Sequence, residues 1–143
     1  MPLNEDLIET RIREMNDSIQ ILKGIVSREF EGLSLYERLS IRYLLIQLVE
    51  AAAGICIHIL SSLFKERPEG YPECFIRLSL RGVISKDLAS KLASASRLRN
   101  LLVHRYWVID DRKVYDAIRE GLKDFEEFIS QVREFSSENG GGR

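Results

Sequence analysis

SKDLASKLASASRLRNLLVHRYW, residues 85–107, decides how this chain is read. At roughly 100° per residue, Leu88, Leu92, Ala95, Leu98 and Leu102 fall on one stripe, and Ser85 stands before them as an N-cap. The spacing predicts a helix from Ser85 to about His104, with a break near Trp107 to Asp110. Arg99 projects between Leu92 and Ala95, inside the stripe. A guanidinium there must be paired or must face a polar cleft, because burying it alone is very costly. Five residues on comes His104, one of two histidines in the chain, followed by Tyr106 and the sole tryptophan, Trp107.

The same period recurs on both sides of this stretch. Leu7, Ile8, Ile12, Met15, Ile19, Leu22 and Val26 predict a first helix from Leu3 to about Phe30, with Asn4 as N-cap and a break at Gly32. A second, longer helix runs from Ser34 to about Phe64, with Ser34 and Glu37 spaced as a capping box. Its middle, IQLVEAAAGICIHIL (46–60), is apolar almost all round, which predicts the most buried helix of the fold. Ala51, Ala52, Ala53 and Gly54 would admit a close neighbour. ERPEGYPE (66–73) reads as a loop, Cys74 to Leu80 as a short helix stopped by Gly82. Val114, Ile118, Leu122, Phe125, Phe128 or Ile129, and Val132 mark a last amphipathic helix over Arg112 to Phe135, capped by Asp110 or Asp111. The expected architecture is all-α: an antiparallel four-helix up-and-down bundle with an additional short helix, one domain over residues 1–136 and a disordered tail over 137–143.

Composition narrows the function. In 143 residues, 45% hydrophobic and 30% charged content suits a soluble globular chain. The net charge of −1 means that any nucleic-acid surface must be a local basic patch. Cys56 and Cys74 have no metal-ligand spacing, and two histidines are too few for a Cys/His zinc cluster; reduced core thiols in a cytoplasmic protein are expected. The charged N-terminus lacks an apolar signal core. The apolar run Tyr43 to Leu60 is broken by Gln47, Glu50 and His58, which favours a core helix over a membrane span. No glycine-rich nucleotide cradle, cofactor motif or metal motif is present.

Arg99 and His104 lie about 140° apart on an ideal helix, so they do not share a face, whereas Arg97, Asn100 and His104 do. A two-fold axis, or an end to the helix near Val103, could bring Arg99 and His104 together. Glu50 is the candidate partner for an Arg99 that is merely salt-bridged inside the bundle. Tyr106 and Trp107 could equally pack as core. From patterning alone the cluster has no assigned chemistry.

RNLLVHRYWVID (99–110) resembles the signature of the HEPN superfamily, an Arg, four spacers and a His. More narrowly, Arg99, Asn100, His104, Tyr106, Ile109 and Asp110 resemble the HepT branch, in which the motif continues His-x-Tyr and an Ile-Asp follows. The similarity extends through PECFIRLSLRGVIS (72–85) and LVEAAAGICIHIL (48–60), covering about Tyr43 to Val132. It implies a helical homodimer, forming a larger oligomer with its antitoxin, that acts as a metal-independent endoribonuclease toxin without a cofactor. It also implies a partner, an MntA-like minimal nucleotidyltransferase that neutralises the toxin by transferring AMP to Tyr106. In one place the sequence departs from the family: Gly54 stands where an acidic residue is looked for in the second helix.

The implied chemistry fits the residues. Metal-free cleavage needs the 2′-hydroxyl to attack phosphorus while a base takes its proton and cations stabilise the oxyanions. His104 would transfer the proton and Arg99 would grip the phosphate. Asn100, Arg97, Arg105 and Tyr106 would hold RNA, Tyr106 by stacking or hydrogen bonding. The alternative is a non-catalytic helical module that docks a nucleotidyltransferase or binds nucleotide through Arg99 and His104. A plain bundle whose polar cluster is an interface is a third reading.

Overall fold

The computed structural model describes residues 2–139. Five α-helices follow one another: α1 (Glu5–Val26), α2 (Leu35–Phe64), α3 (Tyr71–Leu80), α4 (Lys86–His104) and α5 (Asp111–Asn139). Two 3₁₀ turns, Phe30–Gly32 and Tyr106–Val108, join α1 to α2 and α4 to α5. Among the described residues there is no strand, so the all-α expectation holds. The helix that packs most closely on α1 is α2, and α4 is the one that packs most closely on α3; α2 touches all four other helices.

Local chemistry sets the helix starts. The Asn4 side chain accepts from the Leu7 amide, and Ser85 accepts from the Leu88 amide. At Ser34 the full capping box forms, with the Glu37 carboxylate reaching back to the Ser34 amide. Tyr71 opens α3 three residues before the predicted start, because Pro72 needs no amide partner in the first turn. The loop therefore shrinks to residues 65–70. The last helix continues to Asn139, beyond the Phe135 end and three residues into the expected tail, since no glycine or proline intervenes before Gly140. Residues 140–143 of that tail lie outside the described residues.

The core gathers from every helix. α2 contributes Ile41, Leu44, Leu45, Leu48, Val49, Ala51 to Ala53, Ile55, Cys56, Ile59 and Leu60, more buried residues than any other helix. By length and composition α2 could cross a membrane, and here its apolar surface is largely covered by the other helices. Leu88, Leu92 and Leu102 of α4 are buried as the stripe requires, but Ala89, Ala93 and Ser96 are buried too, because α3 covers that flank; Ala95 and Leu98 are only partly covered. Ser96 satisfies its hydroxyl by donating to the Ala93 carbonyl at 2.7 Å.

Two long-range ties bind the C-terminal half of α2. His58 Nε2 accepts the Asn4 backbone N–H at 2.8 Å, so the α1 N-cap is anchored to α2. Burial pushes the His58 imidazole below its usual range. The thiols expected to be reduced are instead joined: Cys56 of α2 and Cys74 of α3 form a disulfide with Cα atoms 6.2 Å apart, both fully buried. Helical periodicity places each cysteine on a core face, and the packing of α3 on α2 makes those faces meet within bridging distance.

Candidate active site

Arg99 is on the core-facing stripe of α4 as the wheel requires, and the fold meets its charge with three groups. Its Nη2 donates to Glu50 Oε2 of α2 at 2.6 Å. Its Nη1 donates to the neighbouring Asn100 Oδ1 at 3.0 Å. Its guanidinium carbon lies 4.8 Å from the ring centroid of Tyr71, the first residue of α3. The Arg99 side chain is 16% exposed and that of Glu50 is 44% exposed, so the pair sits at the wall of the bundle with one edge open to solvent. Arg99 Nε is buried and has no hydrogen-bond partner among the described residues. Of the five N–H donors of a guanidinium, two are engaged, which leaves donors for a ligand.

Glu50 is the partner that the helical wheel nominated. Position 54, where an acid is looked for, has a different neighbour. Gly54, one turn further along α2, faces Arg11 of α1: a Cβ built there would lie 3.3 Å from Arg11 Nε. The glycine lets the Arg11 side chain pack directly against α2, and the acidic contact with Arg99 comes from one turn earlier.

His104 is the last residue of α4 and is exposed, as are Arg97 and Arg105. Among the described residues no hydrogen bond joins His104 to Arg99; within one chain the structure brings Arg99 together with Asn100, Glu50 and Tyr71 only. The helix ends because Arg105 leaves helical geometry (φ −140°, ψ 45°), and the next three residues form the 3₁₀ turn. Tyr106 and Trp107 are 62% and 67% exposed and meet edge to face with centroids 5.4 Å apart. They are surface residues rather than core. Arg42 of α2 fixes this turn: Nη1 donates to the Tyr106 carbonyl at 3.3 Å and Nε to Asp111 Oδ1 at 2.6 Å, at the start of α5. No group of three or more His, Cys, Asp or Glu side chains among the described residues is placed to hold a metal ion.

The profile of the family described as ribonuclease HepT-like matches residues 12–132. This chain belongs to that family. It is 34% identical over 131 residues to the tRNA nuclease HepT of Aphanizomenon flos-aquae, covering 90% of this chain and 89% of that one. A shorter match, 28% over 82 residues, links it to the mRNA nuclease HepT of Shewanella oneidensis, covering 54% of this chain and 62% of that one. The HepT fold is shared by the tri-AMPylated HEPN toxin of Shewanella oneidensis in complex with its MNT antitoxin, at 23% identity and a TM-score of 0.83, with 90% of this chain and 98% of that chain covered. The cytosolic protein YutE of Bacillus subtilis, of unknown function, has the same fold at 15% identity and a TM-score of 0.85, with 96% and 94% covered.

Sequence reasoning missed two neighbours of the HepT motif. The sequence pattern puts Tyr71 in the loop 66–73, although Gly70 followed by Tyr71-Pro72 is a helix-start signal. Arg42 carried a signal too: a basic residue next to the buried Ile41 in a long apolar helix needs a partner, and Asp111 supplies it with both side chains largely covered.

Proposed function

We propose that this HepT-family chain is the nuclease toxin of a prokaryotic toxin–antitoxin pair, cleaving RNA in the cytoplasm by attack of the 2′-hydroxyl on the adjacent phosphorus, without a divalent metal. The observation that carries the reading is Arg99: a guanidinium mounted in an apolar stripe, oriented by Glu50, Asn100 and Tyr71, with donors left over and one edge open. Such a group can take a phosphate through two of its remaining N–H bonds and neutralise charge that grows on the non-bridging oxygens. His104 takes the 2′-hydroxyl proton or returns one to the leaving 5′-oxygen, work suited to an imidazole near neutral pH. Asn100 orients Arg99 and can turn its amide donors to the phosphate. Arg97 and Arg105 supply the local positive charge that the whole chain lacks, and Tyr106 offers an exposed ring for a base.

Arg99 and His104 point about 140° apart on α4, so a homodimer that brings two copies of this helix together gives each phosphate an Arg99 and a His104. The named relatives cut tRNA and mRNA, and these are the substrates of first choice. The partner is an MntA-like nucleotidyltransferase that transfers AMP from ATP to the Tyr106 hydroxyl, releasing pyrophosphate. Each AMP brings a phosphodiester with about one negative charge, which would occupy Arg99 and repel RNA.

Incubating the purified protein with defined RNAs tests the reading. Wild type cleaves, while His104→Ala and Arg99→Ala lose at least about a hundredfold, the range for removing a proton-transfer group or an oxyanion donor. Tyr106→Phe keeps cleavage but escapes inactivation by the partner with ATP, and mass spectrometry finds the AMP adduct on wild type only. Equal cleavage by wild type and His104→Ala would refute the mechanism.

A further inference from the structure

The geometry points to Tyr71 as a positioning residue for Arg99: its ring, presented by α3, fixes the plane of the guanidinium so that the unengaged N–H edge faces the phosphate. The inference rests on the reading of Arg99 as the phosphate-gripping group.

Three restraints are needed to fix a planar group on a long flexible stem, and each comes from a different helix or position. Glu50 of α2 fixes Nη2, and Asn100 of α4 fixes Nη1. Two in-plane hydrogen bonds still let the guanidinium tilt about the line that joins them. The ring of Tyr71, 4.8 Å from the guanidinium carbon, closes that freedom, because a cation over a π face is attracted to the face and excluded from the space behind it. Tyr71 itself is well supported. Pro72 follows it, Gly70 precedes it as N-cap, and Cys74, one turn further into α3, is covalently bound to α2 through Cys56. Glu66, within the loop, pairs with Arg77 at 2.7 Å and with Arg81, holding the connection against α3. The helix that carries the acidic partner of Arg99 and the helix that carries its aromatic partner are thus locked to each other.

A π face, not a hydroxyl, does this work, and the consequence can be read in two ways. In cleavage assays Tyr71→Phe stays within about twofold of wild type. Tyr71→Leu, which fills similar space without a π face, loses about tenfold, mostly in kcat, because a tilted guanidinium still attracts RNA but meets the transition state poorly. In NMR spectra the Arg99 Nε–H signal carries a ring-current shift that persists in Tyr71→Phe and disappears in Tyr71→Leu, with circular dichroism and thermal midpoint confirming that both variants fold. If Arg99→Ala is inactive while Tyr71→Leu matches wild type, or if Phe and Leu are equally impaired, the role of Tyr71 is overturned. If Arg99→Ala itself cleaves normally, the reading of Arg99 fails instead, and the Nε–H shift alone then decides whether Tyr71 orients the guanidinium.

Discussion

Arg99, proposed to grip the phosphate, is a charge set into an apolar stripe. Its position belongs to Leu88, Leu92 and Leu102, and a leucine or methionine would complete their apolar stripe. The arginine is tolerated because Glu50 lies 2.6 Å away and Tyr71 covers one face. Partly buried ion pairs of this kind are often replaceable by apolar groups of similar volume at no cost. The Arg99→Met, Glu50→Leu double variant, which removes both charges, is therefore expected to keep or raise the thermal midpoint, while RNA cleavage is lost. A midpoint lower by several degrees would show that the pair holds the bundle together. The helical wheel made both Arg99 and its partner legible, since a charge inside a leucine stripe demands a countercharge and Glu50 is the acid in the middle of the neighbouring helix. Tyr71 was not legible in the same way. A contact between an aromatic ring and a cation 28 positions apart follows from how α3 packs on α4, and no local pattern encodes that.

At the level of helices, starts were more legible than ends. Asn4, Ser34 with Glu37, and Ser85 all cap as their side chains dictate, because the orphan amides of a first turn are satisfied within three residues. The end of α5 was misplaced because nothing between Phe135 and Asn139 forbids another turn. The tie between Asn4 and His58 makes the packing of α1 sensitive to pH. The imidazole accepts the Asn4 amide at Nε2, so its neutral form belongs to the folded state, and burial lowers its affinity for a proton. The unfolded chain takes up that proton near pH 6.5 and the folded chain only at lower pH. Stability from this group is therefore fully present well above about pH 6.5 and is lost as pH falls below that value and through the lower folded-state one. Thermal midpoints at pH 7.5 and 5.5 check this: wild type loses stability on acidification, and His58→Gln, which keeps an acceptor but does not titrate, has a flatter profile across the same interval. The disulfide sets a second expectation. Closing the 18-residue separation between Cys56 and Cys74 restricts the unfolded chain by about 3 kcal/mol in the chain-entropy account. The Cys56→Ser, Cys74→Ser double variant should lose about that much in denaturant titrations against the oxidised wild type. Equal stability would mean that the covalent tie adds nothing to the packing of α3 on α2. The pairing could not be inferred from two cysteines without a motif, because it depends on a tertiary meeting of two helix faces.

For the whole molecule, the proposed RNA site of a near-neutral chain rests on charge concentrated at one end of one helix. Arg97, Arg99 and Arg105 fall within nine residues, and the exposed pair Tyr106–Trp107 follows at once. The bundle beneath is a platform: α2 supplies Glu50 to Arg99 and Arg42 to the turn that bears Tyr106, so both parts of the HepT motif are indexed to the same central helix. The fold class and the motif were legible from periodicity and resemblance together, whereas the linkage through α2 needed the structure. The central claim is that these side chains cleave RNA by themselves, using the 2′-hydroxyl as nucleophile. The most direct measurement is the chemistry of the new 3′ end after purified protein is incubated with tRNA in EDTA. The account predicts a 2′,3′-cyclic phosphate, absent from the His104→Ala reaction and from RNA whose 2′-hydroxyl at the cut site is replaced by hydrogen. Cleavage that is abolished by EDTA and restored by magnesium, or that proceeds at a 2′-deoxy position, would contradict it.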